Sequence, residues 1–297
     1  MRHLYALLLT LCFALAAPLR AQPNPFEASV ETVRENRVPL RIHPANNLQT
    51  LQATLNGKPC TLLFDTGASH TTFNDAFIKA AFPDLPRQPL ILPGQTNVRQ
   101  RPDLIPVASL SLGNTTLRDF YAMVLPLDHL SRAVGTPIDG ILGANSIAYA
   151  PCLISLRQAA VTWAPSANAL PANFAAAPEL PLAPECAPLA PITLLARRTP
   201  EGAPCPLLLD TGSSYTFLPT SFWPAAEETL ALAATNVNAS NQKRYRRGQP
   251  GSLLLGECSL PITPLLTDQN HHQIGADLLA NYDLFVDFRR RLLKVLP

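Results

Sequence analysis

The sequence predicts an all-β protein in which one unit is built twice within a single chain. Two segments of the chain match each other in register, and short apolar runs bounded by turn-forming residues fill much of the rest. The 31 prolines and a charged fraction of only 15% argue against long helices. With 297 residues, the chain can bury the core of one large domain or of two lobes.

The repeat is centred on two apolar strands, each of which ends at an aspartate. The first copy reads G-K-P-C-T-L-L-F-D-T-G over residues 57–67, and the second reads G-A-P-C-P-L-L-L-D-T-G over 202–212. The aspartates are Asp65 and Asp210, which lie 145 positions apart (210 minus 65), and no gap interrupts the register. A match at a fixed offset indicates one supersecondary unit formed twice.

Further elements follow in the same order in both copies. Residues 38–42 and 48–55 predict two strands before the first motif, separated by the turn-prone 44–47. A Ser-Leu-x-Leu-Gly pattern recurs at 109–113 and 252–256, and a Gly-Ala-Asn/Asp landmark recurs at 143–145 and 275–277. A short helix after each landmark and a closing hairpin in each copy complete the unit, the arginines at 289–291 forming the last tight turn.

These landmarks predict four parts of the chain. Residues 1–21 form a signal peptide, 22–163 the N-terminal lobe, 164–190 a linker, and 191–297 the C-terminal lobe. The linker is rich in proline and alanine, a composition that favours an extended connector over a packed element.

The N-terminus has the pattern of a secretory signal: a short basic start, an apolar run over 4–17, and small residues for cleavage. A run of 14 residues is shorter than the roughly 20 needed to span a bilayer, which disfavours the alternative of a membrane anchor. Cys12 raises a lipoprotein alternative, although Leu11 stands where a small residue is expected. We therefore expect a secreted or periplasmic protein with no membrane span after signal removal.

Charge disfavours nucleic acid as a partner. The formal net charge is +2, and two of the cations, Arg2 and Arg20, lie in the predicted signal. The basic run at 243–247 is typical of a solvated loop, although in a flap it could select acidic substrate residues.

Five cysteines remain after the signal, too few for a disulfide scaffold: Cys60, Cys152, Cys186, Cys205 and Cys258. A disulfide between Cys205 and Cys258 is one candidate. No cysteine or histidine spacing matches a metal site, and the pair at 271–272 is typical of a polar loop. We expect neither a metal nor an organic cofactor.

Chemistry is carried by the two aspartates. A carboxylate after a buried strand is partly desolvated, which raises its pKa. If the two turns meet at a pseudo-twofold axis, the carboxylates cannot both ionise comfortably, so the pair holds one proton. One member can then act as base towards water while the other polarises a carbonyl. Thr66 and Thr211 suit hydrogen bonds across the axis, and Gly67 and Gly212 leave room for close approach.

The motifs Asp-Thr-Gly-Ala-Ser at 65–69 and Asp-Thr-Gly-Ser-Ser at 210–214, each followed by a glycine landmark, resemble those of the pepsin and retropepsin superfamily of aspartic proteases. The resemblance runs from about residue 38 onward. It implies two retropepsin-like β-barrel lobes forming an intramolecular pseudo-dimer, with a substrate cleft and a flap. It also implies peptide-bond hydrolysis by an activated water, without metal or cofactor.

The landmark glycines follow the aspartates by 78 residues (143 minus 65) and 65 residues (275 minus 210), so the lobes are nearer retropepsin than pepsin units in size. Ala68 follows the first motif as in retropepsins, and Ser213 follows the second as in pepsins, where its hydroxyl can stabilise the ionised dyad. We expect an intermediate acidic optimum. No flap tyrosine occurs in residues 88–106, whereas Tyr245 lies in the corresponding stretch of the second copy.

The sequence therefore predicts an aspartic endopeptidase, active as a monomer on a peptide or protein substrate. Its catalytic residues are Asp65 and Asp210. The dyad is supported by Thr66, Gly67, Ala68, Thr211, Gly212 and Ser213. Two alternatives remain: a catalytically silent peptide-binding or scaffold protein with the same fold, and an enzyme in which two chains must pair.

Overall fold

The computed structural model describes residues 24–90, 101–184, 190–236, 239–269 and 272–296, with side chains left out of the description from 233 to 242. The elements described in the first half are β1 Asn36–Pro39, β2 Arg41–Ile42, β3 Gln49–Leu55, β4 Lys58–Phe64, β5 Thr72–Asn74, α1 Asp75–Ala81, β6 Gln88–Pro89, β7 Asp103–Leu112, β8 Thr115–Leu125, α2 Asp128–Val134, β9 Gly140–Leu142, α3 Ala144–Ile147, β10 Cys152–Ser155, β11 Ala160–Trp163 and a 3-10 turn Ala167–Ala169. Those of the second half are β12 Thr193–Ala196, β13 Cys205–Leu209, β14 Phe217–Pro219, β15 Ala225–Asn236, β16 Ala239–Gly248, β17 Gly251–Leu255, β18 Cys258–Ile262, β19 Leu265–Thr267, β20 Gln273–Ile274, α4 Ala276–Leu279, β21 Asp283–Asp287 and β22 Leu292–Leu296.

The first lobe is a closed barrel. Its strands follow the order β3-β4-β9-β5-β8-β7, and β7 pairs back onto β3 through Leu55↔Leu110 and Thr54↔Ser111. Closure leaves no free edge among these six strands. The alternating burial of β7 and β8 turns one face of each strand inward, so that Ile105, Leu110 and Phe120 lie in the core.

The second lobe repeats part of this strand order, and a separate hairpin interrupts the rest. Its sheet runs β12-β13-β20-β14-β19-β16-β15, which places β13, β20 and β14 as β4, β9 and β5 are placed in the first lobe. The hairpin β17–β18 forms a separate sheet and meets the extension of β12 at the bridge Arg197↔Leu254.

A third sheet joins the lobes. Its order is β1-β11-β10-β21-β22, and the central pair β10 and β21 runs antiparallel, with Cys152 opposite Val286. One strand of that pair comes from each copy of the repeat. The prediction of an all-β fold with two homologous barrel lobes is therefore confirmed.

The segment between the lobes packs against the C-terminal hairpin. Leu180 is buried, and its amide donates to the carbonyl of Leu293 over 2.9 Å, beside a bridge between Glu179 and Lys294. The predicted linker thus has contacts of its own within its described residues. The four domain bounds given above stay predictions.

Three expectations about local structure were wrong. Helices α1 and α2 lie where strand or loop was expected, and each has a local cause. Asn74 caps α1 by accepting from the amide of Ala76, and α2 ends at Gly135 in the left-handed region with φ of 74°. The basic run at 243–247 is part of strand β16, not a solvated loop.

The third error concerns the cysteines. Cys205 and Cys258 carry free thiols, as do Cys60 and Cys152, so the candidate disulfide is not formed. Burial raises the pKa of the Cys60 thiol to about 12 and that of Cys205 to about 11, which makes both poor nucleophiles.

Cys186 lies outside the described residues, as does the predicted signal segment 1–21. In the part of the chain that is described, no helix is long and apolar enough to cross a membrane.

Candidate active site

Asp65 and Asp210 stand at the ends of equivalent strands. Strand β4 pairs in parallel with β9, and the amide of Asp65 donates to the carbonyl of Leu142 over 3.1 Å. Strand β13 pairs in parallel with β20, and the amide of Asp210 donates to Ile274 over 3.0 Å. The backbone of each aspartate is therefore held in its own lobe by an equivalent amide-to-carbonyl hydrogen bond.

Two buried threonines join the loops across the pseudo-twofold axis. The Thr66 amide donates to Thr211 Oγ1 over 3.0 Å, and the Thr211 amide donates to Thr66 Oγ1 over 3.1 Å. Each hydroxyl then donates to the other lobe's strand, Thr66 to the carbonyl of Leu209 at 2.7 Å and Thr211 to that of Phe64 at 2.9 Å. These four bonds hold the strand ends together, as predicted for this pair.

Glycine is required beside each aspartate because the opposite carboxyl lies against it. A methyl group at Gly67 would lie 2.6 Å from Cγ of Asp210, and one at Gly212 would overlap the carboxyl of Asp65 in the same way. Such distances are well inside van der Waals contact. The two loops are thus interlocked, each aspartate packing over the glycine of the other lobe.

Backbone amides point at both carboxyls. Asp65 Oδ1 accepts from the amides of Gly67 at 2.8 Å and Ala68 at 2.9 Å. Asp210 accepts from the amides of Gly212 and Ser213. Hydrogen bonds to the ionised form lower a carboxyl pKa, so each loop offers some stabilisation to a negative charge.

The carboxyls of Asp65 and Asp210 are hydrogen-bonded to each other. Burial raises the pKa of Asp65 above its ordinary value. Burial and the negative charge of Asp65 raise the pKa of Asp210 well above its ordinary value. The pair therefore retains a proton at a pH where isolated aspartates would both be ionised, and the proton belongs to the pair as a whole.

The side chain of Ser213 does not take the position predicted for it. Its hydroxyl donates to the carbonyl of Tyr215 over 2.8 Å, so the structure directs it away from the dyad. Only its amide reaches Asp210. Ser213 and Ala68 thus support the dyad in the same way, through the backbone.

A second ring of polar residues, not singled out from the sequence as support, lies behind the loops. In the first lobe the Thr71 hydroxyl donates to Ser146 at 2.7 Å and to Asn145 Oδ1 at 3.1 Å. In the second lobe the Thr216 hydroxyl donates to Asp277 Oδ1 over 2.7 Å. A threonine six positions after each aspartate was the signal that could have indicated this ring.

Each threonine of this ring also accepts from the landmark glycine of its lobe. The amide of Gly143 donates to Thr71 Oγ1 over 3.2 Å, and the amide of Gly275 donates to Thr216 Oγ1 over 3.0 Å. These contacts thereby fix the loop that follows each aspartate against the helix turn behind it.

A long hairpin, β15–β16, extends from the second lobe towards the first. Strand β15 contacts helix α2 of the first lobe, and Tyr245 on β16 packs against Phe217 with ring centroids 4.9 Å apart. Phe217 begins the strand that follows the Asp210 loop. In the first lobe the corresponding hairpin is β6–β7, of which residues 91–100 lie outside the described part.

Among the described residues, no cluster of histidine, cysteine or acidic side chains is arranged to hold a metal ion.

Comparison with known proteins agrees with this geometry. Residues 51–146 match a family model described as aspartyl protease, a range that contains Asp65 and ends at the glycine landmark of the first lobe. The chain has an aspartic protease-like fold. The family match covers one lobe, so the assignment of the second lobe to this aspartic protease-like fold rests on its equivalent strands and loop.

One solved structure extends the fold likeness to both lobes. Conglutin gamma, a unique basic 7S globulin from lupine seeds, matches with a TM-score of 0.52 and 11% identity over 89% of this chain and 95% of its own. Basic 7S globulin from soybean matches with a TM-score of 0.49 and 12% identity over the same shares. At such identity the likeness to the lupine protein concerns the fold alone. No curated protein sequence matches the chain significantly.

Proposed function

We propose that this protein is an aspartic endopeptidase whose single active site is formed by Asp65 and Asp210. The observation that carries the proposal is the hydrogen-bonded contact between these two carboxyls, one from each lobe, with raised pKa values. Two partly buried carboxyls that share a proton form the acid and base pair that peptide hydrolysis by water requires.

The mechanism uses the ionised and the protonated member together. The ionised carboxylate removes a proton from a water molecule as the water oxygen bonds to the peptide carbonyl carbon. The protonated carboxyl donates its proton to the carbonyl oxygen, giving a neutral tetrahedral diol. The carboxyl that took the proton from water then gives it to the amide nitrogen, and the other carboxylate takes a proton from a diol hydroxyl as the C–N bond breaks and the carbonyl re-forms, which restores the dyad. No covalent enzyme intermediate arises.

The expected pH dependence follows from the shared proton. Below the lower apparent pKa both carboxyls are protonated and no base is present, whereas above the upper one both are ionised and no acid is present. Activity should therefore be bell-shaped, with an acidic optimum. A maximum above neutrality would contradict this assignment.

The main alternative is a catalytically silent protein that binds peptides on the same fold. The lupine protein that shares the fold carries the name of a globulin, so the fold alone does not establish hydrolysis. We favour the enzyme because both aspartates and both threonine contacts are present, and because the carboxyls face each other.

The location and the oligomeric state of the protein are proposed from the sequence. We propose that the protein is exported and acts as a monomer on peptide or protein substrates, because the N-terminus has the pattern of a signal and both carboxyls come from one chain. An enzyme that needed two chains would lose specific activity on dilution, whereas a monomer would keep it.

The proposal is tested with a mixed peptide library at acidic pH. The wild type should cleave peptides and be inhibited by pepstatin-type compounds, and Asp65→Asn or Asp210→Asn should each lower kcat by about a thousandfold or more, as removal of an essential acid or base does. The matched control is Asp84→Asn, which changes an exposed aspartate and should leave activity unchanged. Unchanged cleavage in both dyad variants would exclude the site.

A further inference from the structure

The hairpin β15–β16 carries an excess of positive charge. Residues 225–248 contain four cations, Lys243, Arg244, Arg246 and Arg247, against two anions, Glu227 and Glu228. The hairpin thus holds a formal charge of +2, which equals the net charge of the whole chain. In an otherwise balanced protein, such an excess in one element gives a local field.

Strand alternation sorts the cations into two groups. Tyr245 packs on Phe217, so its face of β16 is turned towards the lobe. On that same face Arg247 pairs with Glu228 over 3.2 Å, and Lys243 donates to the side chain of Gln269 over 3.1 Å. These two cations already have partners within the protein.

The two remaining arginines lie on the opposite face. Arg244 and Arg246 are exposed, and the structure gives neither an ion pair nor a hydrogen bond within the described residues. They lie two residues apart on one strand, so their Cα atoms are about 7 Å apart along the strand direction and both side chains leave the same face. Two unpaired guanidinium groups at this spacing suit the carboxylates of an extended acidic peptide.

The position of the hairpin relates these cations to the cleft. Strand β16 pairs with β19, which pairs with β14, the strand that follows the Asp210 loop. Strand β15 contacts α2 on the other lobe. The hairpin therefore contacts both lobes, and a peptide that approaches the dyad alongside it passes within the range of its field.

We propose that Arg244 and Arg246 make the enzyme selective for substrates that carry acidic residues flanking the scissile bond. The inference rests on the proposed peptidase activity and adds the substrate class. The arginines act through binding and approach of the peptide, not on the reacting atoms, so they affect KM and the salt dependence more than kcat.

The size of the preference for acidic peptides follows from the solvent exposure of Arg244 and Arg246. Exposed ion pairs are individually weak, so both arginines together should favour an acidic peptide over a neutral one by about three- to tenfold in kcat/KM. Because the contacts are exposed, this preference should shrink as salt is raised from about 0.05 M to about 0.5 M.

The experiment uses three versions of one cleaved peptide, with glutamate, glutamine or lysine at the positions flanking the scissile bond. The wild type is compared with Arg244→Gln/Arg246→Gln and with the charge-matched control Arg198→Gln/Arg290→Gln. Arg198 and Arg290 are exposed and lie in turns away from the hairpin. A third variant, Arg244→Lys/Arg246→Lys, keeps the charge at the proposed site.

The wild type, the control and the lysine variant should prefer the glutamate peptide, and the glutamine variant should cleave all three peptides alike. Equal cleavage of the glutamate and glutamine peptides by the wild type would overturn the inference while leaving the peptidase intact. An unchanged preference in Arg244→Gln/Arg246→Gln would also overturn it. Absence of any cleavage by the wild type would instead count against the proposed function itself.

Discussion

The two lobes share the loop that carries the aspartate but differ in what surrounds it. Each aspartate receives two loop amides, each threonine joins the opposite strand, and each glycine lies under the opposite carboxyl. Behind the loops, the first lobe uses the amide Asn145 where the second uses the carboxyl Asp277. At the dyad, the threonines and glycines that contact the other lobe are the same in both lobes, whereas Asn145 and Asp277, whose contacts lie within their own lobes, differ. Symmetry is thus retained where the lobes must fit each other.

Outside the two aspartates themselves, the largest expected effect comes from breaking the shared interlock. Gly67→Ala places a methyl group 2.6 Å from Cγ of Asp210, which the carboxyl can relieve only by turning away. The chain should still fold, because the displaced group is the end of a side chain, but kcat/KM should fall by about a hundredfold or more.

Gly212→Ala should behave in the same way, since its methyl group would displace Asp65. The control is Gly202→Ala, whose methyl group meets the Thr199 side chain in a turn at the far end of β13. Both kcat/KM and thermal unfolding are measured. Full activity in a folded Gly67→Ala protein would contradict the interlock.

The next effect concerns stability. Thr66→Val leaves the Thr211 amide and the Leu209 carbonyl without their buried partner, which should lower the free energy of unfolding by about 1–3 kcal/mol per unpaired group. Thr211→Val should cost a similar amount by the same argument. Thr66→Ser keeps the hydroxyl and serves as the control in urea unfolding. A valine variant as stable as the serine variant would show that the cross-lobe bonds contribute little.

A smaller effect on the pH dependence of stability is expected from Asp277, which takes the place that Asn145 has in the first lobe. Burial raises the pKa of Asp277 above its ordinary value of 3.8, so folding favours its protonated form. Its contribution to stability is therefore fully present below the unfolded pKa and is lost as the pH rises through the folded pKa. Between about pH 4 and pH 7, Asp277→Asn should lose less stability than the wild type.

Asn145→Asp, which introduces a carboxyl into the first lobe, tests the same effect in the opposite direction. Asn145→Asp should give the first lobe the same pH dependence, and it should also cost stability because a carboxylate cannot donate to the Phe26 carbonyl as the Asn145 amide does over 2.8 Å. Urea unfolding at the two pH values measures both variants. Parallel pH profiles for Asp277→Asn and the wild type would show that Asp277 does not titrate in this range.

The smallest effect is expected at Ser213. Because its hydroxyl donates to Tyr215 and only its amide reaches Asp210, Ser213→Ala should make the second loop resemble the first with little change in the pH profile. We expect kcat/KM within about twofold of the wild type, since no bond to the dyad is removed. A shift of the acidic limb by a full pH unit would show that the hydroxyl turns to the dyad during catalysis.

Much of the architecture could be predicted from the repeat. The register between 57–67 and 202–212 predicted the two strands that end at the aspartates, and the glycine landmarks predicted α3 and α4, because matching patterns fold into equivalent units. Helices α1 and α2 were missed because each has only seven residues, too few for periodicity, and their stability comes from caps and from buried Ile78, Leu130 and Val134.

The contact between the two aspartate motifs was predicted better than the structure around it. Asp65 and Asp210 were brought together as expected, since their motifs contain the whole interlock. The direction of the Ser213 hydroxyl depends on the local course of the chain near Tyr215, which no motif encodes. The thiols of Cys205 and Cys258 could not be placed because disulfide formation depends on distances across the lobe.

The central claim is that the two lobes form one coupled site, and kcat/KM of Asp65→Asn, Asp210→Asn and the double variant tests it most directly. Members of one site are strongly non-additive, so each single variant should lose nearly as much activity as the double variant. Substantial activity in either single variant, or a double-variant loss equal to the product of two partial losses, would contradict a shared dyad.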